Sequence, residues 1–269
     1  MSNFKPKIIA LVGPTASGKS ELAVMLAEKY KGEIISADSR QVYKGMDIGT
    51  GKITKKETRN IPHYLLNIAN PKTTFTIAKY QKLARKAVRD ILKRKKLPII
   101  CGGTGFYVQA LIDDLVIPEV KPDPSLRKKL EKIPILKLYA LLKQKDPTRA
   151  KTIDPKNPRR LIRALEIVAT LKKVPPFKKQ NSEYNTLILG IKKEKKELRD
   201  LIHSRLLNRL KSGLVKEVRK LKKNGVSWQK LENFGLEYRH VAQYLQNKIS
   251  KTKMIENLNN ASWHDAKRQ

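Results

Sequence analysis

The residues with the clearest chemical meaning form a short glycine-containing segment near the start of the chain. It reads Gly-Pro-Thr-Ala-Ser-Gly-Lys-Ser and fits the pattern G-x-x-x-x-G-K-[ST]. Backbone N–H groups of such a loop surround an anion, the lysine reaches its outer phosphates and the last hydroxyl holds Mg²⁺. The pattern predicts a phosphate site made of Gly13, Pro14, Thr15, Ala16, Ser17, Gly18, Lys19 and Ser20, with Ser20 as the metal ligand.

The ligand of this loop is left open by the pattern itself, because the loop suits a nucleotide such as ATP or a free diphosphate equally well. A motor ATPase or GTPase also needs an Asp at the end of a hydrophobic strand to hold Mg²⁺. The best later candidate strand, Leu97 to Cys101, is followed by Gly102-Gly103-Thr104 and has no carboxylate there.

A carboxylate does occur early, at Asp38, directly after the apolar run from Glu33 to Ala37. In an open α/β sheet, ligands bind at the carboxyl ends of the strands, so Asp38 is expected to face the same cleft as the phosphate loop. An Asp in that place could deprotonate an acceptor group. It could equally cap the following helix, and both interpretations stay open at this point.

The surrounding pattern predicts the elements that would position these residues. Short apolar runs alternate with helical periodicity, which favours an α/β fold with a mostly parallel sheet and flanking helices. The predicted strands are Lys7–Val12, Glu33–Ala37, Tyr64–Ile68 and Leu97–Cys101, and the predicted helices between them are Gly18–Lys31 and Ile77–Leu92.

A helical segment interrupts this alternation. Leucines and isoleucines recur at helical spacing from about residue 123 to residue 171, with prolines before it and Pro175-Pro176 after it. Asn185–Ile191 then predicts a strand that returns to the sheet. We expect a core of residues 1–119 and 183–269 and an inserted helical subdomain of residues 120–182.

The charge of the chain is strongly positive, at 59 − 24 = +35. The first fifty residues carry only 7 − 5 = +2, so the excess lies outside the segment with the clearest chemistry. A basic excess favours polyanions such as nucleic acid, although a general lysine bias gives the same composition. The single cysteine, Cys101, and the lack of any membrane-length apolar run predict a soluble cytoplasmic protein.

Several longer motifs together carry a family resemblance. The chain resembles the bacterial tRNA dimethylallyltransferases, also called tRNA isopentenyltransferases, from about Lys7 to its last residue. Beside the phosphate loop, the resemblance rests on Asp38–Thr50 (DSRQVYKGMDIGT), Pro62–Leu66 (PHYLL), Gly102–Tyr107 (GGTGFY), Asp154–Arg160 (DPKNPRR) with Arg163–Glu166 (RALE), and Ala266–Gln269 (AKRQ).

The resemblance implies transfer of a dimethylallyl group from dimethylallyl diphosphate to N6 of the adenosine at position 37 of tRNA, on a kinase-like P-loop fold. Asp38 is then the general base. Lys19, Thr15 and Arg205 act at the diphosphate, with Mg²⁺ as cofactor. Without the resemblance, Arg205 would be interpreted as an exposed helix arginine.

The resemblance also implies a tRNA surface and a monomer that has no membrane partner. The anticodon stem-loop would be contacted by Asp38, Ser39, Arg40, Gln41 and Thr104 in the core, and by Arg127, Arg159, Arg160, Leu161, Ile162 and Arg163 in the insertion. Arg159 and Arg163 are four residues apart and share a helix face, which suits phosphate contacts.

The chain departs from the family pattern near its end. It has Ser262-Trp263-His264-Asp265 where relatives often have Thr-Arg-Gln-aromatic, and it stops at Gln269 where they usually continue with a Trp-containing segment. Only a role for Lys267 and Arg268 is carried over. Two other classes remain as alternatives: a nucleoside or small-molecule kinase, and an RNA-binding P-loop protein without catalysis.

Overall fold

A five-stranded parallel sheet forms the centre of the first of two compact units. The computed structural model describes residues 5–176 and 183–268, and the strand order in the sheet is β3-β2-β4-β1-β5. Every pair of neighbouring strands in this sheet is parallel. The strands are β1 (Lys7–Val12), β2 (Gly32–Ser36), β3 (His63–Tyr64), β4 (Leu97–Cys101) and β5 (Asn185–Gly190).

Both faces of the sheet are covered at its central strand β1, where the four consecutive apolar residues from Ile8 to Leu11 are all buried. Successive side chains of a strand point to opposite faces. Ile8 and Ala10 therefore pack in one hydrophobic cluster, and Ile9 and Leu11 pack in another on the other side. The first cluster includes residues of α2 (Ile77–Lys93) and α3 (Gly105–Ile112), and the second includes residues of α1 (Lys19–Lys29). This arrangement confirms the predicted α/β class.

The predicted third strand is the clearest error of the sequence-based assignment. Tyr64–Ile68 was expected to be extended, but the strand is His63–Tyr64 only. Leu65 and Asn67 have φ values of 64° and 56°, in the left-handed region, which takes the chain out of the sheet. The return strand is confirmed, since β5 pairs with β1 along all six of its residues.

The chain after β5 adds a helical layer to this unit, which consists of residues 1–114 and 181–269. Buried side chains from these helices form one cluster with Val42, Tyr43 and Met46, from the loop that follows Asp38. The C-terminal helices are therefore packed on the loop beside the predicted catalytic carboxylate. They are α8 (Lys195–Lys211), α9 (Leu214–Lys223), α10 (Trp228–Asn233), α11 (Leu236–Leu245) and α12 (Lys251–Ala266).

The second compact unit, residues 115–180, is helical in the part that the structure describes. Its bounds begin five residues before the predicted insertion. Leu138, Leu142, Leu161 and Leu165 are among the buried residues of its own hydrophobic core. Its helices are α4 (Pro124–Leu130), α5 (Ile135–Lys145), α6 (Pro147–Thr152) and α7 (Pro158–Leu171). In the described part of the whole chain, no helix has the length and apolar character needed to cross a membrane.

Candidate active site

The phosphate loop lies between β1 and α1, where the G-x-x-x-x-G-K-S pattern predicted it. Gly13 has φ 144°, and a Cβ atom on it would lie 2.8 Å from the carbonyl oxygen of Ile191, so only glycine fits. Ala16 and Gly18 have φ values of 63° and 88°. Left-handed residues alternating with ordinary ones turn successive N–H groups toward a common centre, which is the geometry of an anion-binding nest.

The start of α1 completes the anion-binding site, and we call the phosphate loop together with this helix start the cradle. No side chain caps its first turn, whose N-cap residue is Gly18, so the helix presents its first N–H groups to the loop. The Lys19 ammonium folds over the loop and donates to the carbonyl oxygens of Gly13 and Pro14 at 2.8 and 2.5 Å. The Ser17 hydroxyl is buried and has no hydrogen-bond partner among the described residues. These groups can bind a diphosphate by backbone amides, a hydroxyl and one ammonium.

Asp38 lies at the carboxyl end of β2 and is half-buried. Its Oδ1 accepts hydrogen bonds from the backbone N–H groups of Arg40 and Gln41, at 2.7 and 3.2 Å. The chain between β2 and β3 contains no helix, so the alternative that Asp38 caps a following helix is wrong. Its Oδ1 instead holds a turn, and this contact uses only one oxygen. Oδ2 accepts no hydrogen bond that the structure shows within residues 5–176 and 183–268, so this oxygen can take a proton.

Thr104 connects the ends of β2 and β4 beside Asp38. Its N–H donates to the carbonyl oxygen of Ala37 at 3.0 Å, and its Oγ1 accepts from the N–H of Ser39 at 3.0 Å. A Cβ on Gly102 would lie 2.2 Å from the same Ala37 oxygen, so the two backbones cross at van der Waals contact. The Gly-Gly-Thr-Gly motif thus fixes the backbone of Ala37 and Ser39, the two residues that flank Asp38.

Arg205 is a largely buried residue of α8, which differs from the exposed arginine that local sequence reasoning favoured. Its Nη1 donates to Thr15 Oγ1 at 3.3 Å, which places the guanidinium on the phosphate loop. Burial lowers the pKa of Arg205 to about 10, and the neighbouring Arg209 guanidinium acts in the same direction. Glu237 opposes this shift and pairs with Arg209 at 2.6 Å.

Three charged groups from distant parts of the sequence converge at the mouth of the cradle. Asp38 acts electrostatically on both Lys19 and Arg205, and the Arg205 charge acts on Lys19. Burial lowers the pKa of Lys19, and the Arg205 charge adds to this effect. Burial also raises the pKa of the Cys101 thiol to about 11, so Cys101 is neutral at pH 7 and is no nucleophile here. The site therefore combines two desolvated cations with one carboxylate.

The side chains at the cradle offer too few oxygen ligands to bind Mg²⁺ alone, so they fit the ion only if a bound diphosphate also coordinates it. Among the described residues, no group of three or more His, Cys, Asp or Glu side chains could hold a metal ion. Ser20 follows Lys19 at the start of α1 and its side chain hydrogen-bonds to Cys101. Mg²⁺ usually keeps several waters and takes few protein ligands beside substrate phosphates, so a single hydroxyl from Ser20 is compatible with it.

Gln41 and Arg40 follow Asp38 and line the same region. The Gln41 carboxamide accepts from the Ser36 hydroxyl at 3.3 Å and donates to the carbonyl oxygens of Thr50 and Gly51, both at 3.4 Å. Arg40 is half-buried, and its Nε lies 3.7 Å from the place where a Cβ on Gly235 would be. Tyr107, from the Gly-Gly-Thr-Gly-Phe-Tyr motif, is buried and stacks on Tyr80 with ring centroids 4.0 Å apart.

In the insertion, two of the predicted tRNA-binding arginines make internal ion pairs. Arg127 forms a two-point contact with the Glu166 carboxylate, at 2.7 Å from Nε and 2.6 Å from Nη2. Arg163 contacts Glu166 at 3.4 Å and donates to the carbonyl oxygen of Val120 at 2.8 Å. The Glu166 side chain is only 1% exposed, so these contacts brace the subdomain. A tRNA contact by either arginine stays a prediction.

The other predicted residues of α7 differ in exposure. Leu161 and Ile162 are buried in the hydrophobic core of the subdomain, so their side chains are not available to an RNA and only their backbone could contact one. Arg159 and Arg160 are exposed. At the end of the chain, Lys267 lies over the Trp263 ring and Arg268 pairs with Asp265 at 3.0 Å, whereas Gln269 lies outside the described residues.

The sequence reasoning missed Gly51, Arg209 and Glu237. A Cβ on Gly51 would overlap the guanidinium groups of Arg205 and Arg209, so both groups lie directly against the Gly51 backbone. The Gly-Thr-Gly string at residues 49–51 was the available signal, since two close glycines outside a helix indicate a close approach.

Comparison with known proteins gives one consistent result. A model of the family described as IPP transferase matches residues 41–269. The chain is 41% identical over 268 residues to a tRNA dimethylallyltransferase of Anoxybacillus flavithermus, covering 98% of this chain and 86% of the relative. It is 40% identical over 278 residues to a tRNA dimethylallyltransferase of Bacillus licheniformis, covering 100% and 88%.

Solved structures give the same answer. The full-length tRNA isopentenylpyrophosphate transferase of Bacillus halodurans matches with a TM-score of 0.73 and 37% identity, covering 98% of this chain and 86% of that one. A eukaryotic dimethylallyltransferase acting on tRNA matches with a TM-score of 0.81 and 27% identity, covering 98% of this chain and 68% of that one.

Proposed function

The chain belongs to the IPP transferase family, and we propose that it transfers a dimethylallyl group from dimethylallyl diphosphate to the N6 amine of the adenosine at position 37 of tRNA. Its activity is that of a tRNA dimethylallyltransferase, as in the relatives that are 41% and 40% identical to it. The observation that carries the assignment of residues is the convergence of Asp38, Lys19 and Arg205 at one cradle.

We assign the acceptor side to Asp38. The lone pair of the adenine N6 amine is delocalised into the ring, so the amine is a weak nucleophile. As the bond from N6 to the first prenyl carbon forms, Oδ2 of Asp38 takes the N6 proton. The turn at Arg40 and Gln41 holds Oδ1 and thereby orients Oδ2. The adenine must leave its stack to reach this carboxylate, as base-modifying enzymes generally require.

We assign the donor side to the phosphate loop and Arg205. The bond between the prenyl carbon and diphosphate breaks as the new bond forms, and negative charge develops on the leaving group. Backbone amides of the loop, Lys19 and Arg205 stabilise that charge, and Thr15 Oγ1 orients the guanidinium. Ser20 would hold Mg²⁺ together with the diphosphate, and the ion would supply further neutralisation of charge there.

For the tRNA, we propose contacts by Ser39, Gln41 and Thr104 near the adenosine and by the exposed Arg159 and Arg160 of the insertion at the anticodon stem-loop. Backbone phosphates dominate the affinity of basic proteins for RNA, which suits the +35 charge of the chain. We further propose that the protein works as a monomer in the cytoplasm, where unmodified tRNA is found.

The decisive experiment supplies unmodified tRNA, Mg²⁺ and dimethylallyl diphosphate with a labelled prenyl group, followed by digestion to nucleosides. We expect label in adenosine and release of one diphosphate per label. A folded protein that leaves adenosine unlabelled would overturn the proposal. Formation of ADP from ATP with a small hydroxyl acceptor would support a kinase instead.

A further inference from the structure

Glu217 of α9 makes an unusual set of contacts for a residue outside the site. Its Oε2 accepts hydrogen bonds from the backbone N–H groups of Asp47 and Ile48 at 2.8 and 2.7 Å, and its Oε1 accepts from that of Gly49 at 3.0 Å. The Tyr238 hydroxyl donates to the same Oε1 at 2.7 Å. A carboxylate that binds three consecutive backbone amides fixes their conformation far more firmly than one contact would.

The segment held by Glu217 continues directly into the site. The next two residues are Thr50 and Gly51, whose carbonyl oxygens accept from the Gln41 carboxamide at 3.4 Å. The Gly51 backbone also packs against the Arg205 guanidinium. Residues 47–51 therefore lie between Glu217 on one side and two functional side chains on the other, one for the acceptor and one for the leaving group.

Both ends of this connection are rigid. Tyr238 is 1% exposed and its ring packs so close to Gly49 that a Cβ there would lie 2.7 Å from it. On the loop side, the buried Lys52 ammonium donates to the Tyr43 carbonyl oxygen at 2.8 Å and pairs with Asp47 at 2.7 Å. A change at Glu217 is therefore transmitted to the segment instead of being absorbed by flexible neighbours.

We propose that Glu217 is a positioning residue for the reaction, which acts through residues 47–51 to place Gln41 against the acceptor and Arg205 against the leaving diphosphate. This inference rests on the proposed function for its kinetic readout. It does not place Glu217 in contact with either substrate.

The test uses Glu217→Gln, which keeps the size of the side chain but replaces one accepting oxygen by an NH₂ group that faces a backbone donor. We expect kcat to fall by about tenfold or more, since a charge-assisted contact is lost at each of several amides. Affinity for inorganic diphosphate should fall as well, because Arg205 is displaced. The matched control is Glu256→Gln on α12, whose exposed carboxylate pairs with Lys253 at 3.0 Å. It should behave as wild type.

A double-mutant cycle with Arg205→Ala separates positioning from general stabilisation. If Glu217 acts partly through Arg205, the two losses in kcat should combine to clearly less than their product, by about threefold or more. Fully multiplicative losses, or a Glu217→Gln enzyme within twofold of wild type, would overturn the inference. A purely structural role would lower the melting temperature and leave kcat of the folded fraction unchanged, which also overturns it.

Two further measurements keep the outcome clear. If Glu217→Gln does not fold, Tyr238→Phe removes only the hydroxyl that donates to Glu217, and a smaller loss in kcat with the same non-multiplicative cycle is expected; no loss overturns the inference. If wild type transfers no prenyl group, the proposed function fails separately. The affinity of each variant for inorganic diphosphate then still decides whether Glu217 positions Arg205.

Discussion

Asp38→Asn should abolish most of the turnover while leaving the site intact. The Asn Oδ1 can accept from the Arg40 and Gln41 N–H groups as the carboxylate does, at 2.7 and 3.2 Å in the wild type, so the turn is retained. The second atom changes from a basic oxygen to an NH₂ group that cannot take a proton. General bases contribute about 10²- to 10⁴-fold, so single-turnover transfer should slow by that factor, or about 3–5 kcal/mol.

The same structure predicts what this substitution leaves unchanged. Removing the Asp38 charge makes the surroundings of Lys19 and Arg205 more positive, so affinity for inorganic diphosphate should stay the same or increase. Affinity for tRNA should change by less than about threefold, because phosphate contacts dominate it.

The assay is single-turnover transfer of labelled prenyl group to tRNA, with filter binding for the tRNA complex. Asp200→Asn, an exposed carboxylate on α8, is the matched control and should behave as wild type. A transfer rate for Asp38→Asn within about threefold of wild type would refute Asp38 as the base, since a general base contributes at least about 10²-fold. Weakened diphosphate binding would refute the charge arrangement deduced for the cradle.

Three further outcomes are expected. Arg205→Ala should weaken inhibition by inorganic diphosphate by about tenfold or more, because a buried charged contact is removed, whereas Arg199→Ala, exposed on the same helix, should not, as measured by titration. Arg127→Ala should lower the free energy of unfolding, measured in urea, by about 1–3 kcal/mol, because Glu166 loses its two-point partner while keeping Arg163. The exposed Arg160→Ala is the control and should lower the same free energy by less than about 0.5 kcal/mol. Burial alone would raise the pKa of Glu166, but the hydrogen bonds from Arg127 and the Asp123 N–H lower it. The ion pair of Glu166 therefore stabilises the fold at neutral pH, and this stabilisation is lost as the pH falls through the lowered pKa. In thermal melts, the wild type should be more stable than Glu166→Gln at neutral pH, and the difference should shrink on acidification.

The sequence predicted the parts of the fold that depend on local pattern. The phosphate loop, β1 and α1 follow from eight residues with fixed roles, and the central strands follow from uninterrupted apolar runs. The predicted extent of the third strand was wrong because Leu65 and Asn67 adopt left-handed backbone conformations, which an apolar run does not reveal. Local pattern also placed Asp38 at the end of a strand but could not show which of its oxygens is engaged in the turn.

The roles of charged residues depended on contacts that sequence does not encode locally. Arg205 reads as a surface residue on a basic helix, yet it contacts Thr15, 190 positions earlier. Arg163 shares a helix face with Arg159, which suggested a phosphate grip, yet its guanidinium is directed to a Glu166 side chain only 1% exposed. In both cases the deciding partner is brought close only by the folded chain: Thr15 of the phosphate loop for Arg205, and the buried Glu166 for Arg163.

The charge of the catalytic site differs in kind from the charge of the chain as a whole. Most of the +35 can be solvated at little cost, and its attraction for RNA is screened by salt. Lys19 and Arg205 are instead desolvated cations with lowered pKa values, and Asp38 is the carboxylate that acts on both. An anionic ligand relieves this desolvation, so its binding to the cradle should stabilise the folded protein by mass action. In the reaction that we propose, the same cations stabilise the charge that moves onto the departing diphosphate, which would explain why few charges lie there and why Thr15, Gly51 and the C-terminal helices hold them in place.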